Sequence, residues 1–256
     1  MAEAKVAIIT GGGAGIGRAT AQRFAREGYA VVVADRAADD GQQTVQALQD
    51  QGSSALLVEM DAASEADNRR MVEAALSAFG RVDVLVGNAA VRHFGGVVDA
   101  TAEQWDEVVN VNLKGQAFAC KAVIPAIREQ GEGSIVLVSS GHALVGRADM
   151  PLYDATKAAL LSLVRSLAVA HSPEGIRVNA VLPGFVVTDF HQRKARREGR
   201  DPEALWQVVT GLRGRPGSPA EIAAVIWFLA SAEAANITGQ GLFVDGGASV
   251  TAGRGG

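Results

Sequence analysis

Short, continuously apolar runs alternate with longer helical patterns along almost the whole chain, and this alternation restricts the possible fold more than any other feature. Most of the runs lack the polar/apolar alternation of a strand with one face in water. A strand that is apolar throughout is buried on both faces, so helices must cover both sides of the sheet. The predicted strands are Val6–Thr10, Ala30–Asp35, Ser54–Met60, Val82–Gly87, Ser134–Ser139, Ile176–Val181 and Gly241–Val244. The predicted helices are Gly15–Glu27, Asp39–Gln51, Ser64–Phe79, Thr101–Gln130, Met150–His171 and Pro219–Ser231.

Strands and helices that alternate in this way predict an α/β fold with a doubly wound, Rossmann-like parallel sheet of seven strands and helices on both faces. The 256 residues suit one such domain and contain no linker or repeat, so we predict a single domain over residues 1–256. The longest irregular stretch runs from Gly184 to Pro219. Long excursions at this edge of a sheet usually cover a site, so a substrate lid is expected at about 188–215. The tail 251–256 is expected to be flexible.

Composition and charge exclude several classes of protein. With 48 % hydrophobic residues the chain can bury a large core, and its net charge of −4 gives no reason to expect nucleic acid or an anionic membrane as a partner. No apolar stretch approaches the roughly 18 residues of a membrane span. Cys120 is the single cysteine, which excludes an intramolecular disulfide and suits a cytoplasmic protein. The four histidines lack a spacing that suggests a shared metal ion, so no metal site is predicted.

A glycine-rich turn follows the first predicted strand. Its sequence, Thr10-Gly-Gly-Gly-Ala-Gly-Ile-Gly17, has the spacing T-G-x-x-x-G-x-G, set by Gly11, Gly15 and Gly17. Glycines allow the backbone to turn tightly and to approach a pyrophosphate, whose charge is stabilised by the N–H groups at the start of the next helix. The same turn could also join a strand to a helix without any ligand.

An acidic residue at the end of the second predicted strand favours a dinucleotide ligand. Asp35 lies where a carboxylate can bind the ribose hydroxyls of the adenosine. A carboxylate there repels a 2′-phosphate, and Ala14 supplies no basic group to offset this, whereas Arg36 could bind one. We weigh Asp35 more heavily and predict NAD rather than NADP. Asp61, at the end of the third strand, is expected to accept a hydrogen bond from the adenine amino group or to lie in the cap of the next helix.

Tyr153 and Lys157 stand four residues apart at the start of a predicted helix, so both side chains lie on one helical face. A lysine ammonium beside a phenol stabilises the phenolate and is expected to lower the pKa of Tyr153 from its ordinary value of about 10. A lowering by ~3 units would make the tyrosine a usable base near neutral pH. As an isolated pair, these two residue types also occur by chance on many helices.

Two further polar residues complete a possible proton-transfer site. Ser140 follows the fifth strand at the edge where doubly wound sheets bind ligands, and its hydroxyl could hold a substrate oxygen or cap a turn. Asn112 lies inside a long helical pattern, where asparagine is unfavourable. It could interrupt the helix, bind water and relay a proton towards Lys157, or it could lie on the surface.

Over nearly its whole length the chain resembles the short-chain dehydrogenase/reductase family. Each matching element is weak alone, but their joint order and spacing are specific. The elements are the turn Thr10–Gly17, Asp61, Asn88-Ala-Ala90, Asn112, Ser140, Tyr153-x-x-x-Lys157, Asn179, Pro183-Gly184 with Thr188, and the segment from Thr238 to Gly247.

The resemblance implies roles for four residues. Tyr153 would be the acid/base, Lys157 would hold the nicotinamide ribose, Ser140 would bind the substrate oxygen, and Asn112 would take part in a water relay. The residues predicted to bind the cofactor are Gly11, Gly13, Gly15, Ile16, Gly17, Asp35, Arg36, Asp61, Ala62, Asn88, Ala89, Ala90, Tyr153, Lys157, Pro183, Gly184, Val186 and Thr188.

The resemblance also implies that Val186 and Thr188 hold the nicotinamide carboxamide. One departure from the family pattern is visible, because the usual Asn-Asn-Ala-Gly after the fourth strand is Gly87-Asn-Ala-Ala90 here. A side-chain contact at Gly87 is therefore lost, and Ala90 is expected to restrict the backbone.

The predicted reaction is reversible hydride transfer between NAD and a secondary alcohol/ketone pair. A small, neutral and partly apolar substrate is expected near the residues that follow the cofactor and catalytic motifs: His93, Ser140, His142, Met150, Phe185 and Phe190. His142 has the strongest case, because a short loop fixes its distance from Ser140. The basic lid segment 191–200 could attract an anionic group, but its charges cannot all face one side of a helix, which favours a solvated helix.

Two other functions remain open from the sequence. Arg36 fits an NADP-dependent carbonyl reductase, and the fold alone is compatible with a non-catalytic NAD-binding scaffold or sensor. Such a scaffold would be expected to lose Tyr153, Lys157 or Ser140, and all three are present.

Two predicted helical stretches, Gln116–Ile127 and Lys157–Ala170, are apolar around most of their circumference, more than one sheet-facing stripe requires. The resemblance implies that they pair with a second copy across a two-fold axis. A homotetramer, or else a homodimer, is therefore expected, unless the helices are buried inside one chain.

Overall fold

A computed structural model describes residues 4–250 of the chain; the predicted flexible tail 251–256 lies outside the described residues. Seven strands are present, each within a few residues of its predicted position. They are β1 (Val6–Thr10), β2 (Ala30–Asp35), β3 (Ala55–Glu59), β4 (Val84–Gly87), β5 (Gly133–Val138), β6 (Ile176–Pro183) and β7 (Gly241–Val244).

The helices differ from the predicted pattern in two places: the predicted helix over Thr101–Gln130 is interrupted, and a further helix, Asp189–Arg197, lies within the stretch predicted to be irregular. They are α1 (Gly15–Arg26), α2 (Ala38–Gln49), α3 (Glu65–Phe79), α4 (Ala102–Val109), α5 (Gly115–Gln130), α6 (Pro151–His171), α7 (Asp189–Arg197) and α8 (Pro219–Ala230). The prediction of one regular helix over Thr101–Gln130 is wrong, because the segment Asn110–Lys114 between α4 and α5 is π-helical. Within residues 4–250, none of the helices is both long and apolar enough to cross a membrane.

The strands form one parallel sheet in the order β3-β2-β1-β4-β5-β6-β7, which confirms the predicted α/β fold with a seven-stranded, doubly wound sheet. Side chains alternate between its two faces. Along β1, Val6 and Ile8 pack towards α3, α5 and α6, whereas Ala7 and Ile9 pack towards α1, α2 and α8. Both faces of the sheet are therefore buried under helices, which explains why the strands are apolar throughout.

Candidate active site

The carboxyl ends of the strands bring most of the predicted site residues to one edge of the sheet. β1 and β4 are neighbours, yet β1 leads to α1 on one face and β4 leads to α5 on the other. The connections diverge at such a switch point and leave a crevice in which doubly wound sheets bind ligands. The glycine turn follows β1, and Asn88-Ala-Ala90 follows β4.

The glycine turn is shaped by positions that exclude a side chain. Gly11 and Gly15 have φ angles of +64° and +53°. A Cβ at Gly17 would overlap the carbonyl oxygen of Gly11. The side-chain amide of Asn88 donates to the carbonyl oxygens of Thr10 and Gly11, each at 3.0 Å. The turn is therefore fastened to the end of β4 and can come close to a ligand only with glycine at these positions.

A cavity of about 260 Å³ lies along this turn. The carboxylate of Asp35 accepts hydrogen bonds from the backbone N–H groups of Gly13 at 2.8 Å and Ala37 at 2.9 Å. A Cβ at Gly13 would come within 2.9 Å of that carboxylate, so the turn can lie this close to Asp35 only with a glycine at position 13. The predicted cofactor-binding residues that line the cavity are Gly11, Gly15, Ile16, Asp35, Arg36, Asp61, Ala62, Asn88, Ala89, Ala90 and Thr188. A glycine-lined cradle with a carboxylate at the end of β2 fits the adenosine and pyrophosphate of a dinucleotide.

The start of α7 contacts the glycine turn directly. Asp189 accepts a hydrogen bond of 2.7 Å from the backbone N–H of Gly15, and its other carboxylate oxygen lies 3.5 Å from the guanidinium of Arg18. One turn further along, Arg193 pairs with Asp40 at 2.7 Å. The first part of the predicted lid is therefore docked on α1 and α2.

The departure at Gly87 has a physical reason. A Cβ there would overlap the side-chain amide oxygen of Gln116. Gln116 is buried and donates to the backbone carbonyl of Ala89 at 2.7 Å, so its side chain fills the space beside the strand end. Ala90 causes no strain, since all positive φ angles among the described residues belong to glycines. The restriction that an alanine places on this position is therefore compatible with the backbone conformation in this structure.

Tyr153 and Lys157 lie in the first two turns of α6, and both are buried. The ammonium of Lys157 donates to the carbonyl oxygen of Val138, at the end of β5, at 2.7 Å. It lies 5.4 Å from the centre of the Tyr153 ring. Burial, reinforced by the positive charge of Arg92, lowers the pKa of Lys157 to about 7. At neutral pH the ammonium therefore needs a further polar partner to stay fully charged.

The pKa of Tyr153 is shifted in the direction opposite to the expected one. Burial raises it above its ordinary value, and the positive charges of Arg92 and Arg147 oppose this effect only in part. The expectation that Lys157 lowers the pKa of Tyr153 is therefore wrong for this structure. The reason is that removing the phenolate from water costs more than the neighbouring cations return.

Ser140 both caps a turn and faces the site. Its hydroxyl oxygen accepts a hydrogen bond of 3.1 Å from the backbone N–H of His142, which starts the short 3₁₀ turn Gly141–Ala143. Because the oxygen is the acceptor in this bond, the hydroxyl can still donate to a substrate oxygen. The two interpretations of Ser140 given above are therefore compatible.

Asn112 lies in the π-helical segment and is fully buried, not exposed. Its side-chain oxygen accepts from the backbone N–H of Val91 at 2.8 Å, and its amide donates to the carbonyl of Val91 at 2.9 Å. The amide also lies 3.3 Å from the hydroxyl of Thr156 on α6. A π-helical turn often marks a functional position. Here it lets one asparagine join the chain after β4 to the helix that carries Tyr153.

A second cavity, of about 160 Å³, adjoins the first. The two share Ile16, Asn88, Ala90, Arg92 and Thr188 as lining residues. The other predicted site residues that line the second cavity are Ser140, His142, Tyr153, Lys157, Pro183, Gly184, Phe185 and Val186. The predicted acid/base, the serine predicted to bind the substrate oxygen and the end of the predicted cofactor site therefore meet in one place.

Three predicted substrate residues lie elsewhere. Phe190 lines the first cavity instead of the second. His93 and Met150 line neither: His93 pairs with Glu107 at 2.6 Å, and Met150 is only 2 % exposed. Position in the sequence brought these residues near the site, but their side chains are used by other contacts.

Sequence reasoning missed three basic residues that line the second cavity, namely Arg92, Arg147 and His191. The guanidinium carbons of Arg92 and Arg147 lie 5.4 and 5.5 Å from the centre of the Tyr153 ring. Burial lowers the pKa of His191 to about 4, so it is neutral at pH 7. The cavity is more polar than the expected apolar pocket. Arg92 follows Asn88-Ala-Ala90 by two residues, and this position beyond a strand end was the available signal.

Apart from His191, the basic residues of α7 do not line either cavity. Arg193 is paired with Asp40, and the ammonium of Lys194 lies 3.9 Å from the centre of the Phe94 ring. Neither of them, nor Arg196 and Arg197, lines either cavity. This placement agrees with the interpretation of α7 as a solvated helix.

Comparison with known proteins places this geometry in context. A family model described as enoyl-(acyl carrier protein) reductase matches residues 11–249. An L-rhamnose 1-dehydrogenase (NAD(P)(+)) from Azotobacter vinelandii is 41 % identical over 249 residues, which are 95 % of this chain and 96 % of that protein. A dehydrogenase/reductase SDR family member 4 from Sus scrofa is 39 % identical over 251 residues, which are 96 % of this chain and 87 % of that protein. The crystal structure of L-sorbose reductase from Gluconobacter frateurii, complexed with NADPH and L-sorbose, superposes with a TM-score of 0.91 at 31 % identity, with 98 % of both chains covered.

Proposed function

This chain is an oxidoreductase of the short-chain dehydrogenase/reductase family, and we propose that it transfers a hydride between NAD(H) and a secondary alcohol/ketone substrate. One observation carries the proposal. Tyr153, Lys157 and Ser140 line one cavity, and that cavity shares five residues with the glycine-lined cavity beside it. A proton carrier and a dinucleotide cradle that adjoin each other are what reversible alcohol oxidation requires.

The chain's own residues would handle the oxygen and the proton of the substrate. When bound, the nicotinamide supplies the acceptor or donor of the hydride. The Ser140 hydroxyl donates to the reacting oxygen. The Tyr153 phenolate takes up the hydroxyl proton in oxidation, and the Tyr153 phenol gives it back in reduction. Lys157 is held at the end of β5 by Val138, which leaves its remaining ammonium hydrogens for the ribose of the cofactor. Val186 and Thr188 are proposed to hold the carboxamide.

Asp35 supports NAD over NADP as the cofactor. Its carboxylate is fixed by two backbone N–H groups at the rim of the cavity, where a 2′-phosphate would meet a negative charge. The alternative, an NADP-dependent carbonyl reductase, is favoured by the exposed Arg36 beside it. Known relatives do not decide between them, since one is named for both cofactors and one was solved with NADPH.

A small substrate with several polar groups suits the second cavity. Its lining includes Ser140, His142 and Thr188, and two proteins similar to this chain are named for the sugars L-rhamnose and L-sorbose. We propose that the segment 188–215 acts as the lid over this cavity. A cytoplasmic location is part of the proposal, supported by a single cysteine, Cys120, which is buried.

Assembly into a homotetramer, or else a homodimer, also belongs to the proposal. The outer side of α6 is rich in small and apolar residues, including Ala155, Ala158 and Val169, which is 82 % exposed. Such a surface suits close contact with another helix. Light scattering is expected to show a dimer or tetramer at micromolar concentration, and a monomer would contradict this part of the proposal.

The deciding experiment measures activity with NAD and NADP side by side on a panel of secondary alcohols and ketones. We expect activity with NAD and at least tenfold lower kcat/KM with NADP, a difference of about 1.4 kcal/mol.

Tyr153→Phe should keep NADH binding and lose nearly all turnover, because the ring remains and only the proton carrier is removed. Near-normal turnover of this variant would contradict the mechanism, and equal or better kinetics with NADP would favour the alternative based on Arg36. NADH binding without turnover of any panel member by the unmodified chain would favour a scaffold.

A further inference from the structure

Arg92 places a positive charge in the second cavity without an acidic partner. None of the described residues that line this cavity is an aspartate or a glutamate. The other arginine there, Arg147, is neutralised by Asp154, whose carboxylate it meets at 2.8 and 3.2 Å. Within residues 4–250, Arg92 has no ion pair. The cavity therefore carries an uncompensated cation next to the predicted proton carrier.

The guanidinium of Arg92 is held between two aromatic rings. Its central carbon lies 5.4 Å from the centre of the Tyr153 ring and 4.8 Å from that of Phe190 on the lid helix. The backbone of the preceding residue, Val91, is fixed on both its N–H and its C=O by Asn112. Arg92 is therefore a positioned charge at the junction of the two cavities.

An oriented cation in a partly buried cavity favours a ligand of opposite charge. A guanidinium has a planar set of donors that matches the two oxygens of a carboxylate. The ammonium of Lys157 lines the same cavity, and the nicotinamide ring of the oxidised cofactor proposed above would add a positive charge there, whereas its pyrophosphate would lie at the glycine turn of the first cavity. A neutral substrate would leave these charges unbalanced in a site from which water is displaced.

We propose that Arg92 binds a carboxylate of the substrate, so that the preferred substrates are hydroxy acid/keto acid pairs. The inference rests on the proposed function and names its substrate class. In the oxidation, the carbinol carbon loses a hydride to NAD⁺ and its hydroxyl loses a proton through Tyr153 to solvent, so that keto acid, NADH and one proton result. The carboxylate takes no part in the bond changes. It lies one or a few carbons from the reacting carbon, within reach of a guanidinium beside the Tyr153 ring.

The test compares keto acids with their own methyl esters, which share the ketone and lack the charge. We would measure reduction of 2-oxobutanoate, 3-oxobutanoate and 4-oxopentanoate, each against its ester, with NADH and with NADPH. For at least one pair, kcat/KM should be at least tenfold higher for the acid. Arg92→Gln should lower this acid-to-ester ratio at least tenfold, and Arg92→Lys should fall between. Arg196→Gln, which removes one charge from the exposed side of the lid helix, is the matched control and should keep the ratio.

A binding measurement keeps the inference separate from the proposed function. Isothermal titration of the NAD⁺-saturated chain with the same keto acids involves no hydride donor, and Arg92→Gln should weaken binding of the acid at least tenfold. Thermal unfolding would verify that the variants are folded. Three results would overturn the inference and leave the proposed function standing. They are equal kcat/KM for every acid and its ester, an acid-to-ester ratio that Arg92→Gln leaves unchanged, and turnover of neutral sugars alone. Arginine-dependent binding of the acid without hydride transfer to any ketone would support the inference and overturn the proposed function.

Discussion

The carboxylate of Asp189 accepts a hydrogen bond of 2.7 Å from the backbone N–H of Gly15, the residue at which α1 begins. The N-terminus of a helix carries partial positive charge and attracts anions. The proposed lid therefore supplies its own anion to the N–H group that the pyrophosphate of the proposed cofactor would also use. Cofactor and lid would then compete for this one donor.

Asp189→Asn should tighten NADH binding by about threefold to tenfold, or ~1 kcal/mol, because a neutral amide competes less well for the helix terminus and no longer repels the pyrophosphate. Fluorescence titration with NADH measures this. Asp106→Asn, the same charge change on the exposed side of α4, is the control and should have no effect. Weaker binding in Asp189→Asn would mean that the aspartate assists the cofactor instead of competing with it.

Asp35→Asn should shift cofactor preference towards NADP. The two oxygens of Asp35 each accept from one N–H group, so the single amide oxygen of an asparagine can still accept from either Gly13 or Ala37, while the charge that repels a 2′-phosphate is lost. We expect the ratio of kcat/KM for NADP to that for NAD to rise at least tenfold, or about 1.4 kcal/mol. Asp39→Asn, an exposed acid in the first turn of α2, controls for general charge effects. An unchanged ratio would show that Asp35 does not select the cofactor.

Lys157 should make stability depend on pH. Its pKa is lowered to about 7 in the folded chain, whereas an unfolded lysine titrates near 10.4. Between these values the unfolded chain binds more protons, so the free energy of unfolding rises with pH, by at most about 1.4 kcal/mol per pH unit. Lys157→Met should abolish this contribution, and Lys114→Met, at an exposed position, should not.

The measurement is Tm between pH 6.5 and 9 in buffers of equal ionic strength. Burial raises the pKa of the Cys120 thiol to about 12, which lowers stability as pH rises through the range where an unfolded cysteine ionises. This effect is common to all three proteins, so the difference between their curves isolates the lysine. Equal slopes in the unmodified chain and Lys157→Met would contradict the expectation.

Asn112→Ala should destabilise the chain by about 2–4 kcal/mol, because the partly buried N–H and C=O groups of Val91 would both lose their partner and Asn112 itself is fully buried. Turnover should fall as well, since the loop after β4 lines both cavities. Denaturant unfolding and steady-state kinetics measure the two effects. Asn110→Ala, whose side chain only meets Lys114 at the surface, should change stability by less than about 0.5 kcal/mol. Similar effects of the two variants would contradict the assigned role of Asn112.

The order and type of the main elements were predictable because each strand is buried on both faces. In such a sheet the apolar runs themselves mark the strands, and the order of β1 to β7 follows from their positions. The turn at Ser64 was also predictable, since its hydroxyl caps α3 by accepting from the N–H of Asp67. The π-helical segment was not, because Asn110–Lys114 continues an ordinary helical pattern and the contact that its Asn112 makes is with Val91, a residue distant in sequence.

The part of the site that was predictable is the part where residue type and spacing along the chain are enough to indicate a shared location. Tyr153, Lys157 and Ser140 meet as expected in a shared cavity. The pKa of Tyr153 was not predictable, since it depends on burial and on the two arginines that other loops bring to its ring. The prediction that Met150 contacts the substrate was also wrong, because nothing in the sequence around it shows that its side chain is buried.

The attachment of Val91 to Asn112 has a consequence for how such a protein can diverge. The chain beyond Val91 runs to Thr101 without helix or strand, and Arg92 is its first residue. The residues proposed to handle the substrate proton and oxygen lie elsewhere, since Tyr153 and Lys157 are on α6 and Ser140 follows β5. If Arg92 selects the substrate as proposed, mutations after Val91 would change the preferred substrate while the residues proposed for proton transfer stay the same. On this proposal, a related protein can gain a new substrate preference through changes in this loop, with the same catalytic residues.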